Sequence, residues 1–192
     1  MANILTLCML LRNCKRSCYI MQILNKGIVL LFLLSFLSCR KREPVLFEIP
    51  FRLSFQVQAG LNPFEKHYYP VRNITTNIQN LRQQFNVEPD RVLRIRPASA
   101  IFSSLHQDVD LDFIQEVGIS VFKGFDQQND TDVFLTEFIP VNAGRNINVL
   151  PFDDDVADVI NVEELNFLVS LRLRAPSPVF FETSVDIKFI AE

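Results

Sequence analysis

Apolar and polar residues alternate without a break from residue 47 to residue 59. Phe47, Ile49, Phe51, Leu53, Phe55, Val57 and Ala59 hold the odd positions, and Glu48, Pro50, Arg52, Ser54, Gln56 and Gln58 fill the even ones. Successive side chains of an extended strand point to opposite faces, so the pattern predicts one long strand with one buried face. Pro50 has no N–H to give to a ladder, which places it on an edge strand or at a bulge. "GLNPF" at 60–64 then turns the chain.

The same parity returns near the C-terminus. Phe167, Val169, Leu171 and Leu173 alternate with Ser170, Arg172 and Arg174, and Phe181, Val185, Ile187 and Phe189 alternate with Glu182, Ser184, Asp186 and Lys188. "APSP" at 175–178 lies between these runs. The pattern predicts a C-terminal hairpin in which Arg172 or Arg174 faces Glu182 across the strands. Further strands are expected at 91–96, 113–123, 133–139 and 147–150, set apart by turn-rich stretches such as "FDQQND" and "NAGRN". Ile74, Ile78, Leu81 and Phe85 recur instead at helical spacing after Thr75 and Thr76, two candidate caps. The expected fold is mainly β: a two-sheet antiparallel β-sandwich, immunoglobulin-like, with one short connecting helix.

Upstream the pattern changes. Gly27–Leu37 is an eleven-residue apolar run, about half the ~20 residues that cross a bilayer as a helix but inside the ~7–15 of a signal-peptide core. Lys26 precedes it, and the small residue Ser38 stands immediately before Cys39. "LLSFLSC" resembles the lipobox of bacterial lipoproteins, in a loose form similar to those of the Bacteroidota, with Phe36 and Leu37 where Leu and a small residue are usual. The resemblance implies cleavage before Cys39, acylation of its thiol and membrane anchoring in the bacterial envelope. Surface-exported Bacteroidota lipoproteins carry an acidic cluster after the cysteine, whereas Arg40, Lys41 and Arg42 follow here. That departure implies an outer-membrane protein facing the periplasm. Beginning the chain at Met21 gives a compact signal of nineteen residues ending at Cys39. The expected organisation is therefore a signal region at 1–38 with its true start at Met1 or Met21, a lipidated tether at 39–44, and a single sandwich domain at 45–192.

Cysteine and charge narrow the partners. All four cysteines lie at or before Cys39 (Cys8, Cys14, Cys18 and Cys39), so the mature domain has no disulfide and must be held by its core. Of 19 basic residues, Arg12, Lys15, Arg16 and Lys26 precede Cys39, leaving 15 against 22 acidic ones, a balance of −7. That balance argues against nucleic acid as a partner. Gly60, Gly118, Gly124 and Gly144 are the glycines after Cys39 and form no phosphate-wrapping cluster, which argues against a nucleotide.

Candidate chemistry is sparse. His67 and His106 are the histidines; His106 follows Ser103 and Ser104 in "IFSSLHQD", but no nucleophile elbow presents a serine. "DVDLD" brings Asp108, Asp110 and Asp112 together, yet Phe113 stands where a calcium loop needs glycine and Ile119 where it needs glutamate. "PFDDDVAD" gathers Asp153, Asp154, Asp155 and Asp158, enough oxygen ligands for calcium and equally an acidic helix start. Arg94 with Arg96, and Arg172 with Arg174, are candidates for an anionic partner or for cross-strand carboxylates. With no tryptophan, Tyr68 and Tyr69 in "EKHYYP" are the candidate ligand platform for a sugar. The function expected from these residues is a lipid-anchored, non-catalytic binding or assembly module with a protein partner in the envelope. The alternatives are a hydrolase or metal-dependent enzyme with a dispersed site, or a calcium- or carbohydrate-binding module.

Overall fold

A computed structural model describes residues 44–88, 91, 93–106, 108–124 and 130–192. Cys39 and the signal region lie outside the described residues. Pro44–Glu192 forms one compact unit. It contains eight strands: β1 (Phe47–Val57), β2 (Lys66–Thr75), β3 (Ile95–Ser104), β4 (Ile114–Phe122), β5 (Thr131–Thr136), β6 (Asn146–Val149), β7 (Glu164–Leu173) and β8 (Phe181–Ala191). A helix, α1 (Ile78–Gln84), follows β2, and a single helical turn, α2 (Ala157–Ile160), precedes β7. The strands form two four-stranded antiparallel sheets, ordered β1-β8-β3-β6 and β2-β7-β4-β5.

The expected sandwich is what forms, with a different connectivity inside it. An immunoglobulin-like order pairs the first two strands, whereas here β1 and β2 lie in opposite sheets. The chain changes sheet at each connection except β4 to β5, which yields the strand order of a jelly roll built from two Greek keys. The C-terminal hairpin is corrected by the same observation: β7 pairs with β2 and β4, while β8 pairs with β1 and β3. Arg172 accordingly faces Lys66 and Glu116, and Glu182 faces Gln56. The seven residues from Arg174 to Phe180 are too long for a tight hairpin turn and span up to ~23 Å, ample for the ~10 Å between packed sheets. Parity tells a strand which face to bury but not which sheet to join.

The parity itself holds. Phe47, Ile49, Phe51, Leu53 and Val57 are buried on β1, as are Phe167, Val169, Leu171 and Leu173 on β7 and Phe181, Val185, Ile187 and Phe189 on β8. Rings from the two sheets interlock: Phe51 of β1 meets Phe167 of β7 edge-on at 5.2 Å, and Phe189 of β8 meets Phe134 of β5 at 5.8 Å. Thr183, fully buried, donates its hydroxyl to the Phe55 carbonyl at 2.8 Å.

Prolines sit where their missing N–H is tolerated. Pro50 and Pro70 lie on the edge strands β1 and β2, and Pro97 lies at a bulge of the inner strand β3. The helix begins later than its apolar spacing predicts, because Ile74 and Thr75 belong to the β2 ladder opposite Leu165 and Glu164. Asn77 caps it in the left-handed conformation with no side-chain bond, while the Thr76 hydroxyl donates to the Val162 carbonyl.

Register gives the first test. Ser54 of β1 faces Ser184 of β8, and Cα atoms of opposed antiparallel partners stand ~4.5–5.5 Å apart, within disulfide range. Ser54→Cys with Ser184→Cys should therefore cross-link on oxidation, scored by free-thiol titration and intact mass. Arg172→Cys with Glu182→Cys should not. The reverse outcome would restore the hairpin and overturn the two-sheet order.

Candidate functional site

Four connections emerge at one end of the sandwich: 58–65 after β1, 105–113 after β3, 137–145 after β5 and 174–180 after β7. Hydrogen bonds stitch them into one surface. The Gly60 N–H donates to the Ser177 carbonyl at 2.9 Å, and the Ser177 hydroxyl returns a bond to the Gln58 carbonyl. Leu111 N–H donates to the Gly144 carbonyl at 2.7 Å, and Gly144 N–H donates to an Asp112 carboxylate oxygen at 3.2 Å. Arg174 binds the third side: its N–H donates to Phe113, and its guanidinium donates to the carbonyls of Ile114 and Ile139.

This end is apolar where loops are usually polar. Phe64 (95% exposed), Phe138 (81%), Val141, Leu105, Phe180 and Val179 are six of the twelve large hydrophobic side chains that stand exposed among the described residues. Single exposed apolar residues are ordinary, whereas a set carried by connected loops at one end is the kind of surface that interaction sites use. Beside Phe138, an open cleft of about 350 Å³ is lined by Gln115, Ile139 and Arg174.

Phe138 is also conformationally unusual. Its φ is 56°, in the left-handed region, and the other non-glycine residues with positive φ among the described residues are Asn73, Asn77 and Asn86. Asparagine tolerates that region, whereas a bulky side chain there costs energy that the surroundings must supply. Neighbouring bonds hold it. Buried Ile139 donates its N–H to the Gln115 carbonyl at 3.0 Å and accepts from Arg174, while the Thr136 hydroxyl accepts from the Leu150 N–H at 3.0 Å. An aromatic ring is thus fixed in solvent by a strained backbone, as happens at functional sites. The signal in the sequence is aromatic or branched residues beside prolines in "GLNPF", "EFIPVN" and "APSPVF".

The structure disperses most of the residues that the sequence singles out. The Asp153, Asp154, Asp155 and Asp158 side chains have separate surroundings: Asp153 pairs with Arg96 at 3.4 Å, and Asp155 accepts from the Ile95 and Ala157 N–H groups at 3.0 Å each. Asp158 lies in the first turn of α2, and Asp154 is exposed. No group of three or more potential metal ligands converges among the described residues. Arg96 is held above its usual range by hydrogen bonding to Glu192, and Arg94 exchanges backbone bonds with the same residue.

Tyr68 and Tyr69 are adjacent on β2 and so face opposite ways. Tyr68 is exposed; Tyr69 turns inward, stacks on Phe55 at 4.6 Å, and burial pushes its phenol up. They form no joint platform. His67 contacts the Asn62 carbonyl at 2.8 Å through Nε2, and the His106 carbonyl accepts from Ser104. Asp108 and Asp110 are exposed on the 105–113 loop, and Arg172 is exposed beside Glu116.

No protein-family model and no curated protein matches the chain. Among solved structures, that of Cocksfoot mottle virus aligns with 81% of this chain and 88% of its own, at 9% identity and a TM-score of 0.27. A likeness that weak carries no argument about fold or function.

Strain at Phe138 is separable from the loss of its ring. Phe138→Gly and Phe138→Ala both remove the aromatic group, but only glycine relaxes at φ 56°. The glycine variant should be more stable than the alanine variant by about 1 kcal/mol, or ~2–4 °C in melting temperature at this size. Equal melting, or a more stable alanine variant, would contradict the strained assignment.

Proposed function

We propose that this protein is a lipid-anchored, non-catalytic binding or assembly module of the bacterial envelope, held through Cys39 in the outer membrane facing the periplasm, and that the loop end is the surface with which it binds. The observation that carries the reading is the gathering of six exposed large apolar side chains on four hydrogen-bonded loops. The lipobox-like "LLSFLSC" supplies the anchor.

Strand order separates the two ends of the domain. The chain enters the domain at Phe47, and the eleven residues of β1 carry it ~35 Å, at ~3.3 Å per residue, before the first apolar loop. The apolar loop end therefore lies opposite the end at which β1 begins.

The anchor is tested by Cys39→Ala. Wild-type protein should partition into detergent and lose residues 1–38, and the variant should move to the aqueous phase. Unchanged partitioning, or an intact mass that retains residues before Cys39, would remove the lipoprotein reading.

A further inference from the structure

We infer that the loop end recognises an apolar segment flanked by lysine or arginine in another protein; the inference rests on the reading of that end as the binding surface. Its apolar pins are Phe64 and Phe138, and its charge is acidic. The four loops carry Glu65, Asp108, Asp110, Asp112 and Glu137 against Arg145 and Arg174, a balance of −3. The Arg174 guanidinium is directed at backbone carbonyls of Ile114 and Ile139, and Asp112 takes the Gly144 N–H. Asp108 and Asp110 are exposed on the loop that carries Leu105, and Glu137 is exposed next to Phe138 in the chain.

This arrangement discriminates between occupants. Exposed aromatic loops could enter a bilayer, but anionic lipids such as phosphatidylglycerol favour lysine and arginine at the point of entry, the opposite of what these loops offer. A second copy docked on the same face would set these carboxylates against one another. A cationic rim around an apolar centre satisfies both features: buried rings hold the complex, and rim charges steer and select. The loops are already fixed by their mutual bonds, so binding requires little ordering.

The test uses full-length protein in neutral detergent and three short peptides sharing one Phe-Leu centre, flanked by lysine, serine or glutamate. The lysine-flanked peptide should bind roughly tenfold more tightly than the serine-flanked one, with glutamate weakest, and the preference should shrink as salt rises from ~0.05 to ~0.5 M. Replacing Asp108 and Asp110 together by lysine should reverse the order. Phe138→Gly, which relaxes the backbone, should weaken the lysine-flanked peptide roughly tenfold while the domain melts normally. Binding that ignores flanking charge but falls with Phe138→Gly would overturn the inference and leave the binding surface standing. Binding unaffected by Phe138→Gly, or to none of the peptides, would overturn both. Association with phosphatidylglycerol vesicles that Phe138→Gly abolishes would assign the surface to lipid instead. Self-association lost in the same variant would assign it to a second copy.

Discussion

The burial of two phenylalanine-rich faces against each other is the interaction on which this domain depends. No cysteine follows Cys39, so no cross-link limits the unfolded chain, and stability has to come from apolar area removed from water. The rings serve this by bridging: Phe51 with Phe167, Phe134 with Phe189 and Phe55 with Tyr69 each join one sheet to the other. Edge-on and offset ring pairs add a directional preference to the non-directional burial, which keeps the sheets in one relative placement. On the outer faces of the sheet, Arg52 pairs with Asp186 and Lys188 with Glu48 across β1 and β8. Such exposed pairs contribute ~0.2–1 kcal/mol each, well below the burial they border.

A fixed core lets the loops depart from ordinary loop chemistry. Arg174 shows how. Its stem leaves the end of β7 and its guanidinium reaches two carbonyls, so one side chain locks the start of β4 to the loop that presents Phe138. With backbone groups satisfied between loops, the side chains at the tips need not fold back to cover anything. Phe64, whose N–H is held by Asn62 at 3.1 Å, remains almost wholly in solvent. This state is costly in water unless something covers it, which is why the loop end, and not the acidic run at 153–158, is the better candidate for function.

Much of the architecture was legible in the sequence, because alternation is a direct consequence of strand geometry. β1 and the inward faces of β7 and β8 follow from parity alone, and Pro50 lies on an edge, one of the two places its missing N–H allows. Pairing was not legible, since an inner face looks the same in either sheet; hence Arg172 and Glu182 ended in different sheets. β2 is not among the expected strands: it is a half-exposed edge strand whose alternation Pro70 and Asn73, both poor strand formers, interrupt. β3 begins later and runs further than the expected strand at 91–96, because Pro97, which interrupts the pattern, lies at a bulge. The candidate site was the least legible part. Its exposed rings come from separate turns, and only folding brings them to one rim.

The absence of cysteine beyond Cys39 makes the central claim directly measurable in intact envelopes. A cysteine placed at Val141 samples the loop end, and one placed at Leu150, equally exposed in the structure at 63% against 66%, samples the chain beyond β6. Labelling by a small maleimide should be suppressed for Val141→Cys in envelopes and restored in purified protein, with Leu150→Cys labelled equally in both. Equal labelling of the two sites in envelopes, or shielding of Leu150→Cys alone, would contradict a loop end that is occupied by a partner.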